Sequence, residues 1–205
     1  MSIREQLQPH LPAATLDYCT ELWQQNPFHF HLSKKRVSKS GDFTCRQGHT
    51  PRITVNQDLT PLEFLITYVH EVAHLHVHKT YGFKAEAHGT EWKLKFRELM
   101  TPILDDSIFP EPILSCLHQH LQNPKASTYS DAELTRLLHQ GDARTAKLVY
   151  LADLPEGSTF DLNGRWFRKG KLRRTRVLCT EIKSKRQFLV PADAPVGHAQ
   201  LTLWG

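Results

Sequence analysis

Residues 60–78, TPLEFLITYVHEVAHLHVH, decide the fold, because they join a helix start signal to a long apolar run. Thr60 and Glu63 have the spacing of a capping box and Pro61 takes the first helical position, so a helix is predicted to begin there. Nearly every position from Leu62 to Val77 is apolar or histidine, which is typical of a central, largely buried helix. The surrounding elements are therefore expected to pack around it.

Two of the four histidines on this helix can share one metal ion. His70 and His74 are four residues apart, so they lie on one face and both can approach zinc at about 2.0–2.1 Å. Glu71 projects beside the pair and can take a proton from a zinc-activated water without being a ligand. His76 points away from that face and His78 lacks an adjacent base, so both are predicted to be core or helix-end residues.

A catalytic zinc also needs a third protein ligand. His88 is the leading candidate, because it follows Gly82, which can turn the chain back, and precedes a second predicted helix. His49, Glu86 and Glu91 remain alternatives on spacing alone, since a carboxylate is also an acceptable third ligand. A buried histidine pair satisfied by a glutamate, without metal, is the competing interpretation.

Signals on both sides of the central helix predict an α+β fold. Leu11–Gln25 carries apolar residues at helical spacing, and residues 88–100 and 110–122 read as further helices. Residues 28–56 contain short alternating or β-branched runs, which favour a small antiparallel sheet. We therefore expect a domain over residues 1–125 in which a small antiparallel sheet packs on the histidine helix and its neighbours.

Residues 126–146 are predicted to form a helical connector, and residues 147–205 a small β unit. A capping box at Ser130–Glu133 starts the connector helix. In the β unit, Asn163-Gly164 is a strong hairpin signal and Lys169-Gly170 a weaker turn.

Charge in the β unit is one-sided. The chain has a formal net charge of +5, and across residues 165–186 only Glu181 opposes the cations. Basic side chains interleaved with Trp166, Phe167 and Phe188 can follow a phosphate backbone and stack on the bases of a single strand. A solvated cationic sheet face is the competing interpretation. The predicted nucleic-acid-binding residues are Arg165, Arg168, Lys169, Lys171, Arg173, Arg174, Arg176, Lys183, Lys185 and Arg186.

Composition excludes several classes of protein. A chain of 205 residues that is 40% hydrophobic can bury one sizeable core with a small second unit. Its longest apolar run, residues 64–69, is far too short for a membrane span, so no membrane association is expected. The N-terminal residues carry charge and proline where a signal peptide needs an apolar segment, which predicts a cytoplasmic location. The four cysteines form no Cys-x-x-Cys pair and are expected to be reduced.

The motif HEVAHL, followed after about a dozen residues by HGTEW, resembles the paired signature of the SprT-like metalloproteases, which include Spartan. The resemblance extends over roughly residues 28–100. It implies a minimal zincin-like fold and, as in Spartan, DNA-stimulated cleavage of proteins crosslinked to DNA. Carried over residue by residue, it makes His70, His74 and His88 the ligands of one zinc ion and Glu71 the general base.

We therefore expect a zinc metalloendopeptidase acting on proteins associated with or crosslinked to DNA, with single-stranded DNA as the favoured nucleic-acid partner. The alternative is a nucleic-acid-binding protein whose zinc site is structural or catalytically silent. Glu71 favours the enzyme, because a structural site needs no base and usually closes its fourth position with another cysteine or histidine. The sequence carries no signal for an oligomeric state.

Overall fold

A computed structural model describes residues 1–34, 36, 39–124, 132–140, 149–162, 164–174, 176–192 and 194–200. The chain divides into two compact units, Met1–Leu138 and His139–Gly205. Helices and sheets are both present, so the α+β class is confirmed. The division at residues 125 and 146 stays a prediction, and the side chains of Leu134 and Leu138 belong to the core of the first unit.

The first unit combines helices with a three-stranded sheet. Their bounds are α1 Ile3–Leu7, α2 Leu16–Gln25, α3 Pro61–Tyr81, α4 Thr90–Met100, α5 Ile113–Gln122 and α6 Ala132–Gln140, and the strands are β1 His29–Ser33, β2 Gly41–Thr44 and β3 Arg52–Asn56. The helix predicted from Leu11 begins five residues later, because Leu11 precedes a proline and such residues disfavour the helical conformation. Ser130 and Asp131 of the predicted capping box lie outside the described residues.

The capping box at the start of α3 is confirmed. The Thr60 side chain accepts a hydrogen bond from the Glu63 N–H at 3.3 Å, and the Thr60 N–H donates to the Glu63 carboxylate at 2.9 Å. The helix then runs for 21 residues and ends at Gly82, whose φ of 63° lies in a region that favours glycine. Twelve of its residues are buried, so α3 is the central helix that the sequence predicted.

The sheet of the first unit is mixed, and the predicted antiparallel sheet is wrong in this respect. Its order is β1-β3-β2, with β3 parallel to β1 and antiparallel to β2. Strand β3 takes the middle position and is the most buried strand of the sheet, with Ile53 and Val55 fully buried. The chain turns back after β1 to form β2 on the far side of β3, so β3 runs in the direction of β1.

The second unit contains one six-stranded antiparallel sheet. Its strands are β4 Val149–Tyr150, β5 Thr159–Leu162, β6 Arg165–Arg173, β7 Arg176–Glu181, β8 Gln187–Pro191 and β9 Pro195–Gln200, in the order β4-β9-β5-β6-β7-β8. Phe160, Phe167, Val177 and Cys179 lie in its buried core. Asn163 of the predicted hairpin lies outside the described residues.

The predicted turn at Lys169-Gly170 is wrong. Strand β6 continues through both residues and turns only at Arg174, which has a φ of 58°. Gly170 instead allows a close approach of β7, since a Cβ at this position would lie 2.5 Å from the Leu178 carbonyl oxygen. A register irregularity between Lys169 and Leu172 accompanies this contact.

The structure also bears on two expectations from composition. Among the described residues, no helix combines the length and apolar character that crossing a membrane requires. The cytoplasmic location stays a prediction. None of the four cysteines, all of which the structure describes, forms a disulfide; Cys19, Cys116 and Cys179 are buried and Cys45 is partly buried.

Candidate metal centre

Three histidine side chains converge beside α3. The Nε2 atoms of His70 and His74 lie 3.2 Å apart, those of His74 and His88 3.0 Å, and those of His88 and His70 3.2 Å. Within the part of the chain that the structure describes, this is the one group of at least three potential ligands whose donor atoms meet. The alternatives His49, Glu86 and Glu91 lie outside the group.

Hydrogen bonds among the imidazoles do not explain this triangle. Each Nε2 directs a single proton or a single lone pair outward, so it cannot pair fully with two neighbours at once. A tetrahedral ion with ligand nitrogens at about 2.0–2.1 Å holds those nitrogens about 3.3 Å apart, close to the spacing observed. The donor set therefore fits one zinc ion, with three protein ligands as in catalytic zinc sites.

Helix α3 positions two of the imidazoles and the start of α4 positions the third. His88 comes two residues before α4, after the chain has turned at Gly82. Trp92, in the first turn of α4, packs its ring against His70, His74 and His88 at centroid distances of 4.5, 5.3 and 4.7 Å. Its indole N–H donates to the His70 carbonyl at 3.4 Å. Sequence patterning identified Trp92 only as a core residue of its helix. In the structure its ring packs against all three histidines of the triad.

Burial keeps the three imidazoles neutral. Desolvation lowers the pKa of His70 well below its usual value, and the neighbouring His74 and His88 lower it further. Burial also lowers the pKa of His74 to about 3, with His88 as the second cause, and lowers the pKa of His88. A metal binds the neutral imidazole, so none of these side chains has to release a proton at neutral pH.

The carboxyl group of Glu71 lies buried, with 6% of the residue exposed, one position along α3 from His70. Burial, followed by the charge of Asp42, raises its pKa to about 8, while a backbone hydrogen bond from Phe43 opposes the shift. Strand β2 packs directly on this side chain: a Cβ at Gly41 would lie 2.8 Å from Oε1 and 2.9 Å from Cγ of Glu71. No local sequence signal identifies Gly41 or Phe43, because β2 reaches Glu71 only through tertiary packing. A nearby dication would favour the ionised carboxylate.

The other two histidines of α3 do not join the triad. His76 is partly buried, and its ring nitrogen pairs with the Asn26 side chain at 3.1 Å. His78 contacts the rings of Phe43 and Phe83, at centroid distances of 5.6 and 4.7 Å. Both therefore have packing partners away from the point where the Nε2 atoms meet.

Nine of the ten predicted nucleic-acid-binding residues are exposed on the second unit, Lys169 being the exception. Arg173 and Arg176 form the last register pair of the β6–β7 hairpin, whose tip holds Arg174. Lys171 is exposed on the same hairpin. The second unit thus presents at least four cations around one hairpin end. The remaining five exposed cations are Arg165, Arg168, Lys183, Lys185 and Arg186.

Lys169 is buried, with 9% of the residue exposed. Its ammonium group donates to the backbone carbonyls of Ala152, at 3.0 Å, and of Leu154. These bonds satisfy a charge that would otherwise be costly to bury, and they tie the segment before β5 to β6. Lys169 is therefore a structural residue of the sheet and is left out of the surface considered below.

Arg165 already has partners within its own unit. It donates to the Glu181 carboxylate at 2.7 Å, and its guanidinium lies 5.3 Å from the ring centre of Phe167 and 4.9 Å from that of Phe188. Phe167 is 3% exposed, so its ring belongs to the core and cannot stack on a base. Trp166, at 39% exposure, has an accessible ring.

Comparison with known proteins identifies one relationship. Residues 13–108 match the model of the SprT-like family, a stretch that contains every member of the histidine triad and Glu71. The resemblance stated from the two motifs is confirmed. The chain matches no curated protein and no solved structure.

Proposed function

Because residues 13–108 belong to the SprT-like family, a family of zinc metalloproteases, we propose that this protein is a zinc-dependent endopeptidase. The proposal depends on one observation: the buried carboxyl of Glu71 accompanies three converging histidine nitrogens. A structural zinc site has no use for such a group and usually takes a fourth cysteine or histidine. A zincin-like arrangement of the first unit is part of the same proposal.

Each residue of the site has its own role in the proposed peptide hydrolysis. A zinc ion held by His70, His74 and His88 would polarise a peptide carbonyl and lower the pKa of a water molecule toward about 7. Glu71 accepts the proton of that water and delivers it to the leaving amine. Strand β2 confines the carboxyl of Glu71 from the side of Gly41. The ring of Trp92 excludes solvent behind the ligands.

We further propose that the substrates are proteins associated with or crosslinked to DNA, and that the second unit binds single-stranded DNA. The exposed cations of this unit and the accessible Trp166 ring support the proposal, because such surfaces follow a phosphate backbone and stack on bases. The resemblance to a family that includes Spartan is its second support.

The decisive experiment compares Glu71→Gln with the wild-type protein. Purified protein is expected to contain about one zinc per chain and to cleave itself or a DNA-bound protein. Glu71→Gln should retain the zinc while kcat falls on the order of 10²- to 10⁴-fold, because the proton acceptor is lost. Glu86→Gln, which makes the same chemical change at an exposed position nearby, is the matched control. Undiminished cleavage by Glu71→Gln would refute the mechanism.

His88→Ala tests the third ligand. This variant should lose zinc to a chelator far more readily than wild type, because two histidines from one helix cannot complete the site. His49→Ala removes an alternative ligand and should leave zinc content unchanged. Loss of zinc from His49→Ala alone would overturn the ligand assignment.

The DNA proposal predicts a specific salt dependence. The binding of a single-stranded oligonucleotide should weaken with salt, and Arg173→Ala/Arg176→Ala should reduce the slope of log K against log salt by about 1.4. A double variant of two exposed first-unit arginines, Arg46→Ala/Arg52→Ala, controls for the change in total charge. Equal slopes for the two variants would remove the β6–β7 hairpin from the proposed interface. Cleavage-inactive protein that still binds DNA in this way would favour the alternative of a nucleic-acid-binding protein with a silent zinc site.

A further inference from the structure

Aromatic side chains remain exposed where α3 ends. Phe83 is 77% exposed and Tyr81 is 50% exposed, although most large apolar residues of this unit are buried. A single exposed apolar residue is ordinary on a protein surface. Phe83 is not an isolated exposed residue, because its ring packs edge-on against His78 at a centroid distance of 4.7 Å. Its backbone lies in a short 3-10 helix that begins at Gly82.

Phe83 is the outer end of a continuous row of rings, the aromatic ridge, formed by Phe43, His78 and Phe83. The ring of Phe43 lies 5.6 Å from that of His78, centre to centre. On its other side, Phe43 stacks on His74, a member of the triad, with centroids 6.5 Å apart and planes 11° apart. The ridge therefore leads without interruption from the candidate metal centre to the surface.

The inner end of the ridge also lies close to the group proposed to move the proton. Phe43 is two residues along β2 from Gly41, where a Cβ would lie 2.8 Å from Oε1 of Glu71, and its ring faces His74 and His78. A polypeptide whose scissile bond lay at Glu71 and the triad would place a neighbouring side chain next to the ridge. Phe43 is only partly buried, so its ring can contribute to that contact.

Charge at the outer end of the ridge, around Phe83, does not favour nucleic acid as the occupant. Residues 79–91 contain two lysines, Lys79 and Lys84, and two glutamates, Glu86 and Glu91, which balance. The Lys79 ammonium group moreover donates to the Asn26 side chain at 2.8 Å. A surface that followed a phosphate backbone would need an excess of cations, which this segment lacks.

We propose that the aromatic ridge is a specificity site that receives a bulky apolar side chain of the substrate polypeptide next to the bond to be cleaved. The inference rests on the proposed peptidase function and adds to it a preference for apolar residues flanking the scissile bond. Phe83 supplies most of the accessible contact surface, while Phe43 and His78 form its base. Apolar residues become accessible in unfolded or damaged proteins, so the ridge directs the enzyme to such chains.

The test uses zinc-loaded Glu71→Gln protein and a set of octapeptides that differ at one position, occupied by Phe, Leu, Ala or Asp and moved along the sequence. Binding is measured by fluorescence anisotropy, and cleavage of the same peptides is measured with the active protein. Peptides with Phe or Leu at one position should bind on the order of tenfold more tightly than those with Ala. Phe83→Ala should abolish this preference without changing zinc content, and Leu94→Ala, which removes another exposed apolar residue, should preserve it.

The two proposals fail in different ways. If the peptides are bound with the apolar preference but never cleaved by zinc-loaded protein, the ridge is upheld as a site for apolar side chains of a polypeptide and the peptidase function is refuted. If the active protein cleaves the peptides without an apolar preference, or if Phe83→Ala keeps that preference, the ridge is refuted and the peptidase function stands. A Phe83→Ala variant that loses binding to oligo-dT while it keeps the peptide preference would assign the ridge to nucleobases and overturn the inference. Equal binding of all peptides, or no binding, also overturns it.

Discussion

Glu71 is a buried carboxyl group that follows His70, one of the three neutral imidazoles, on α3. Burial, followed by the charge of Asp42, raises its pKa to about 8, so the metal-free protein carries it protonated at neutral pH. The unfolded chain releases this proton near its ordinary pKa of about 4.5. Between these two values the folded state binds more protons than the unfolded state, and its stability falls as pH rises.

Glu71→Gln should therefore stabilise the metal-free protein at alkaline pH. Glutamine does not titrate, so the advantage over wild type grows from about pH 4.5 to about pH 8 and then stays constant. The expected gain in melting temperature at pH 8.5 is several degrees, since about 1 kcal/mol corresponds to about 2–4 °C in a chain of this length. Thermal unfolding in EDTA at pH 5 and pH 8.5 measures it. A difference that stays constant or shrinks as the pH rises would show that the pKa of Glu71 is not raised in the folded, metal-free protein.

Gly41→Ala should impair catalysis while sparing the metal. A methyl group at this position would lie 2.7 Å from Cγ2 of Thr67 and 2.8 Å from Oε1 of Glu71, so the glutamate must shift. Because a small misplacement of a catalytic group is costly, we expect kcat to fall on the order of 10²-fold with zinc content unchanged.

Thr67→Ser provides the comparison for Gly41→Ala, since it removes Cγ2 and leaves Glu71 intact. The single variant Thr67→Ser should remain active, and the double variant should remain impaired. Full recovery in the double variant would assign the effect to Thr67 and not to the position of Glu71.

At the level of elements, one glycine determines how strands β6 and β7 approach each other. A Cβ at Gly170 would lie 2.5 Å from the Leu178 carbonyl oxygen, a backbone atom that cannot rotate away. Gly170→Ala should destabilise the second unit by about 1–3 kcal/mol, measured by urea unfolding followed through hydrogen exchange of β6 and β7. Gly197→Ala is the control, because the nearest atom there lies at an ordinary 3.6 Å. Equal effects of the two substitutions would contradict the proposed close approach.

Prediction of the elements succeeded where the signal was local. Short segments of consecutive residues were enough to predict three features: the capping box at Thr60, the apolar length of α3, and the face of α4 that carries Trp92 and Phe96. The direction of β1 relative to β3 could not be predicted from consecutive residues, because a strand's own residues do not specify which neighbour it will pair with. The turn assigned to Lys169-Gly170 was wrong for a similar reason: this glycine serves an approach between strands and not a change of chain direction.

For the whole molecule, the metal should stabilise one unit selectively. His70, His74 and His88 all belong to Met1–Leu138, and a ligand that binds only the folded state stabilises it by about 2.7 kcal/mol at one hundred times its dissociation constant. Adding EDTA should therefore increase hydrogen exchange in α3 and α4 and leave β5 to β8 unchanged. Mass spectrometry of proteolytic fragments measures both segments in one sample. An equal increase of hydrogen exchange in both units, or no increase in either, would contradict the assignment of the zinc to the triad.

The sequence by itself determined which side chains were candidates for the chemistry. The spacing of His70, Glu71 and His74 on a capped helix predicted the metal-ligand pair and the base, because helix periodicity converts sequence separation directly into direction. The HGTEW motif added His88 through the family resemblance. Only the tertiary structure decided that His88, and not one of the alternative ligands, joins His70 and His74. It alone placed Gly41 of β2 against Glu71. It alone showed that Lys169 is buried. The physical reason is the same in each case: contacts between distant segments depend on how strands and helices pack, which local periodicity does not encode.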